Sequence, residues 1–263
     1  MSEPDLGYYG PDSVTWRIHR DATSLVGGLR ALLLQALHPE AMALLYARSD
    51  FQADPWPRLQ RTVQFVATLS FGTTAAADAA AARVRHVHEV LGIADPHHLA
   101  WVHACEVDSF LAAARAAGIR LRRGEADRYL AEQVRSATIV GVPEELAPRD
   151  TAELAAYFAA VRPRLRATPE AREAARLVVA PPMPVPGRLV LPARAGWTTV
   201  STLAVGLLPP WARRMYRLPP APGAGLATAA GMRTLRAAVR ALPERYREGP
   251  AYRDAKRRAA ATG

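Results

Sequence analysis

A single cysteine, Cys105, and a single lysine, Lys256, occur among the 263 residues, and each scarcity excludes something. One thiol cannot close an internal disulfide, so the fold needs no oxidising compartment, and Cys-x-x-Cys redox chemistry is ruled out. Long apolar runs are missing too. The longest, such as Val200–Leu208, fall well short of the roughly 20 residues that a membrane span requires. The opening stretch Met1–Trp16 is acidic and polar and lacks the basic-then-apolar order of a secretory signal. A cytoplasmic location is therefore expected, with peripheral membrane contact still compatible. No P-loop, no Gly-x-Gly-x-x-Gly behind a strand and no His-Glu-x-x-His is present, and Ser24, Ser49 and Ser109 have no nucleophile-elbow setting.

What is abundant is arginine. The net charge of +10 would ordinarily suggest nucleic acid or an anionic membrane as partner, because clustered cations neutralise phosphates. Here the arginines are dispersed from Arg17 to Arg258, and the densest group, Arg253–Arg258, is short and terminal. With alanine also frequent, the pattern looks like the coding bias of a GC-rich genome, and nucleic acid is not expected as a partner.

Half of the chain is apolar, enough for one large core, and the apolar residues recur at helical spacing with no sustained alternation of the strand type. The expected fold is all-α, a single-domain multi-helix bundle over residues 14–258 between tails at 1–13 and 259–263. Leu25, Leu29, Leu32, Leu33 and Leu37 lie on one stripe, which ends at His38 because Pro39 disfavours helix before it. Further helices are expected over 57–71, from Thr73 or Thr74 to Leu91, from Asp95 to Gly118, and over 124–140, 150–166, 169–179, 196–208, 222–241 and 250–260. The proline-rich stretches 180–192 and 218–225 are expected as connections within the domain.

Among the seven histidines, His86, His88, His97 and His103, with His98 beside them, fall in two consecutive helices. A haem iron needs one neutral imidazole on its proximal side. His88 follows Arg85 by three residues, which puts a ligand and a propionate-pairing guanidinium on one helix face. Arg58, Arg61 and Thr62 at i, i+3 and i+4 bring two cations and a hydroxyl to one side of the preceding helix, where they can donate to charge developing on oxygen. The bland alternatives are a solvated face for these three and core packing for the histidines. His86-x-x-Glu89 and His103-x-x-Glu106 also place an imidazole and a carboxylate one turn apart, but a di-iron bundle needs the reverse order and two further glutamates. Nothing in the spacing selects Glu106 for acid–base work, and Cys105 is expected as a buried apolar residue.

These residues resemble a known family, the haem-dependent oxygenases that include the latex-clearing rubber oxygenases and the MpaB-type oxygenases. The resemblance is carried by the run Leu32–Pro39, by Ser49-Asp50-Phe51, by Arg58-x-x-Arg61-Thr62 with Phe71-Gly72-Thr73, by Arg83–His88 and by Trp101-Val102-His103-Ala104. Later landmarks are Gly141-Val142-Pro143, Leu207-Leu208-Pro209 with Arg213, and Leu242-Pro243. Together they span roughly residues 14–258.

The resemblance implies b-type haem held by His88, with His103 as the reserve ligand, and an oxygenase acting with dioxygen on a lipophilic small molecule. It implies that Arg58 and Thr62 take part in activity and that Arg85 and Arg213 pair with propionates. Some members carry a lysine able to occupy the far side of the iron. Arg61 stands there in this chain, and because a guanidinium does not readily lose its proton, an open or water-occupied position is implied. The rubber enzymes have another arginine one turn after the ligating histidine, where this chain has Gly92. They are also secreted, so a smaller substrate than rubber is expected. A haem-carrying or sensing protein without turnover, and a helical interaction protein without cofactor, are the competing readings.

Overall fold

A computed structural model describes residues 4–49, 51–218 and 222–261, without the side chains of residues 187 and 188; Asp50 and part of the 218–225 stretch lie outside them. Among the described residues there are fourteen α-helices and no strand, in agreement with the all-α expectation. In chain order they are α1 (Val14–His19), α2 (Ser24–Gln35), α3 (Pro39–Arg48), α4 (Trp56–Phe71), α5 (Thr74–Leu91), α6 (Pro96–Ala116) and α7 (Glu125–Ile139). There follow α8 (Thr151–Val161), α9 (Pro169–Val179), α10 (Gly187–Gly206), α11 (Pro210–Met215), α12 (Ala224–Arg240), α13 (Glu244–Arg247) and α14 (Pro250–Ala260).

Of the expected leucine stripe Leu29, Leu33 and Leu37 are buried and Leu32 is partly so, whereas Leu25 at the start of α2 is 40% exposed; α2 packs on α6, and these two helices form the axis of the molecule. They approach closely because residue 27 is glycine: a Cβ there would lie 3.0 Å from the Phe110 ring and 3.1 Å from the Ser109 carbonyl oxygen. Side chains lock the pair in register. Trp101 Nε1 donates to the Gln35 carbonyl at 3.1 Å, and Gln35 Nε2 donates to the Val102 carbonyl at 3.3 Å. Arg30, only 4% exposed, donates to Ser109 Oγ at 2.7 Å and pairs with Asp108 at 2.8 Å. That pairing compensates the burial of its charge.

Around this axis α10 packs on α2, α9 packs on α2 and α3, and α12 packs on α6 and α10. On another side α1 rests on α7, α4 and α6, and α4 and α5 form a hairpin that also meets α7 and α14. The corner of the hairpin is clamped by the N-terminal segment. Asp5 accepts from Gly7 N, Thr74 N and Thr74 Oγ1 at 2.8–2.9 Å. Gly7 has φ +80°, and a Cβ on it would sit 2.0 Å from the Gly72 carbonyl oxygen, so a side chain is excluded there.

Helix ends follow the local chemistry. His38 caps α3 by accepting from Ala41 N, Thr73 caps α5 through Ala76 N, and Asp95 caps α6 through His97 N and His98 N. At the end of α5 the Ile93 N–H reaches back to the His88 carbonyl at 2.9 Å and Gly92 takes the left-handed conformation, φ +64°. This is a Schellman closure, and it fixes the backbone at His88.

Three features differ from the sequence-based expectation. The helix expected over 196–208 begins at Gly187, inside the proline-rich stretch, and carries Pro192 within it. The missing N–H of Pro192 falls in an exposed turn where water can satisfy the freed carbonyl. Helix α8 ends at Val161 because Pro163 follows, and Arg162–Arg164 turns as a tighter 3₁₀ segment. The short helices α1, α11 and α13 are too brief for apolar periodicity to reveal.

Candidate functional site

The α4–α5 hairpin does not close tightly on α6. A cavity of about 230 Å³ lies between α2, α3, α4, α6, α9 and α10, with walls that include Leu29, Leu32, Met42, Leu45, Phe51, Leu177, Val178 and Trp197. A second cavity of about 100 Å³ lies deeper, between α4, α5, α6 and α7. Three residues line both: His88, Leu99 and Val102.

His88 is the polar residue at the junction. Its Nδ1 is buried and has no hydrogen-bond partner, so no protein acceptor fixes the second ring nitrogen, contrary to what an axial histidine leads one to expect. Burial, and then the charge of Arg58, lower its pKa. At neutral pH the ring is thus uncharged and keeps a lone pair. An orphaned buried nitrogen costs about 1–3 kcal/mol, which a bound group can restore.

Arg58 supplies the complementary half. Its pKa is lowered by burial and then by Arg61, yet a guanidinium stays charged at any physiological pH. Its side-chain hydrogen bond goes to a neutral group, Nη1 donating to Ser49 Oγ at 3.3 Å. A buried cation without a carboxylate beside it is an anion-seeking group. Thr62 lines the same cavity one turn on, with Oγ1 donating to the Arg58 carbonyl at 3.0 Å.

The remaining sequence candidates are placed elsewhere. Arg61 is exposed and is not among the residues lining either cavity. Arg85 donates to the Ile139 carbonyl at the end of α7, so it braces α5 rather than facing the cavities. Arg213 lies on α11 and lines neither cavity. His103 faces the small cavity alone. Its Nε2 is buried without a partner, and burial pushes its pKa down to about 4.

Some site residues had no usable signal in the sequence. His98, adjacent to a helix cap, lines the large cavity, meets His38 edge to face at 5.0 Å between ring centroids and lies 3.5 Å from the Glu40 carboxylate. Trp56 and Trp197 meet edge to face at 5.0 Å and wall the same cavity. Their partnership joins residues far apart in the chain, which periodicity cannot foresee. Glu106, in the small cavity, is pushed up to about 7 by burial. Among the described residues no group of three or more His, Cys, Asp or Glu is arranged to hold a metal ion. A centre that brings its own equatorial ligands needs only one imidazole.

His19 closes the small cavity on the α1 side. Its Nδ1 meets Ser70 Oγ at 2.7 Å and its Nε2 meets Tyr129 OH at 2.9 Å, and burial lowers its pKa from 6.5 to about 3. The unfolded chain takes up this proton below pH 6.5 whereas the folded chain resists until about pH 3. Stability is therefore lost as pH falls through that window. At pH 5 the loss from this group is about 2 kcal/mol. Urea unfolding at pH 7 and pH 5 should show that component in the wild type and not in His19→Gln; equal pH slopes would refute it.

No helix among the described residues is long and apolar enough to cross a membrane. A family model described as the ER-bound oxygenase mpaB/B′ and rubber oxygenase catalytic domain matches residues 16–255. No curated protein matches the chain, and neither does any solved structure.

Proposed function

The chain belongs to the family of the mpaB and rubber oxygenase catalytic domain, and from that premise we propose that it is a haem-b-dependent oxygenase acting with dioxygen on a lipophilic small molecule. One observation carries the reading: a neutral, unpartnered imidazole and a buried guanidinium without a carboxylate meet at the edge of an apolar cavity. That donor set suits haem, whose iron asks the protein for one imidazole and whose propionates are anions seeking a cation.

In this assignment His88 holds the cofactor, with His103 in reserve. Attachment is non-covalent, since the chain has no Cys-x-x-Cys-His. Haem supplies an iron that binds and activates dioxygen. Arg58 provides fixed N–H donors to negative charge at the His88 end of the large cavity, in surroundings where water does not screen them. Thr62 lines the same volume, with its hydroxyl held on the Arg58 carbonyl. The leucines, Met42, Phe51 and the two tryptophans bind an apolar chain and exclude water from it. Arg85 and Arg213 act at a distance, through the placement of α5 and α11, and Arg61 modulates Arg58 by its charge.

The test is spectroscopic and then catalytic. Protein produced with iron and haem precursor is expected to show a Soret band and to take up oxygen when given isoprenoid or carotenoid-like compounds. A band without uptake across such a panel would reduce the protein to a haem carrier. A folded, colourless product would leave a helical interaction protein.

A further inference from the structure

The small cavity differs from the large one in chemistry. Besides Phe65, Val66, Leu69 and Val84 it is lined by Glu106, His103, His19, Gln133, Ser136 and Ser70. Several of these are already engaged: His19 with Ser70 and Tyr129, Ser136 with Tyr9 OH at 2.6 Å, and Gln133 Nε2 with Thr15 Oγ1 at 2.9 Å. Two are not. His103 Nε2 is buried without a partner, and among the described residues the Glu106 side chain, part of the cavity wall, has no hydrogen bond or ion pair. Two unpartnered polar groups around a volume of about 100 Å³ describe a compartment that holds water, since water is the molecule able to satisfy both.

We propose that this compartment stores and delivers the proton for the oxygen chemistry of the large cavity, with the Glu106 carboxyl as the proton-holding group. The proposal rests on the oxygenase reading above. The two cavities share His88, Leu99 and Val102, so the polar compartment adjoins the His88 end of the large one. When an oxygen atom derived from dioxygen takes negative charge beside Arg58, the Glu106 O–H bond breaks as an O–H bond forms on the adjoining water. That water gives up one of its own protons towards the charged oxygen. The carboxylate left at Glu106 is reprotonated from bulk water.

The groups facing Glu106 favour its uncharged form. From α1 comes His19 and from α6 His103, both kept neutral by burial, and from α5 comes the neutral His88. From α7 comes Tyr129, and from the N-terminal segment Tyr9, both also close to the Glu132 carboxylate. Glu132 is held by Thr15, Val14 N and Arg128, so its own charge is satisfied elsewhere. With no cation against it, and with burial raising its pKa to about 7, Glu106 keeps a transferable proton at neutral pH.

The first measurement needs no cofactor. Infrared spectra of the whole chain between pH 5 and pH 9 are expected to contain a carboxylic-acid carbonyl band that disappears with a midpoint near pH 7 and is absent from Glu106→Gln. In the haem-loaded protein Glu106→Gln, which reproduces the shape and neutrality of the acid, should retain the Soret band. Its oxygen uptake should fall by about 10²- to 10⁴-fold, and the decline of activity above neutral pH should vanish from its profile. Absence of the titrating band, or a variant as active as the wild type, overturns the inference. Wild-type protein that binds haem yet takes up no oxygen overturns the oxygenase reading and the delivery role with it, whereas a missing band overturns this inference alone.

Discussion

His88→Ala is expected to abolish haem retention while leaving the helical fold intact. The substitution removes the only imidazole that lines both cavities, and nothing in the protein depends on its Nδ1, which has no partner. Alanine is the best helix former, and the Schellman closure at Gly92 uses the backbone carbonyl of residue 88 rather than its side chain. The apo chain should therefore be as stable as the wild type or more so, by about 1 kcal/mol for the orphaned nitrogen that is gone. Far-UV circular dichroism checks the fold and the Soret absorbance checks the cofactor. His103→Ala, confined to the small cavity, should keep the band. The reverse outcome, with the band lost in His103→Ala and kept in His88→Ala, would move the ligand to the reserve position.

Arg58→Leu should separate stability from activity. The guanidinium is partly buried, feels the like charge of Arg61 and donates to a neutral hydroxyl, an arrangement that costs the folded chain energy. Replacing such a charge by an apolar side chain is expected to stabilise the cofactor-free protein by about 1–3 kcal/mol. Oxygen uptake by the loaded protein should drop by about 10²- to 10³-fold, the effect of losing a fixed donor to developing negative charge. Arg58→Lys keeps the charge but not the planar fork and should fall between the two. Thermal unfolding of the apo form and oxygen-electrode rates on the same preparations test both halves. A less stable variant, or one with unchanged rates, would show that Arg58 serves packing.

Much of this site was readable from local patterns. His38-Pro39, Thr73, Gly92 and Asp95-Pro96 marked real helix boundaries because caps and stops depend on side chains within a few residues. The pairing of Arg58 and Thr62 on one face held for the same reason, and the family match over 16–255 agrees with the resemblance drawn from these landmarks. What the sequence could not convey was direction in space. Arg85 and His88 share a face of α5, yet the guanidinium is drawn off by the Ile139 carbonyl while the imidazole turns to the cavities. Arg61, three residues from Arg58, is exposed on α4. The clearest loss was Glu106: a carboxyl one turn from His103 looks like any other on a helix until α7 and α1 close over it.

The shared walls of the two cavities have a further consequence. Apart from His88, Leu99 and Val102 are the described residues that line both cavities. On the proposed function a smaller pair would open the apolar cavity to the polar one, and a larger pair would close the two off from each other. Tuning which molecules this scaffold oxidises, and how cleanly, can therefore proceed at two aliphatic positions on one helix without touching a single polar group.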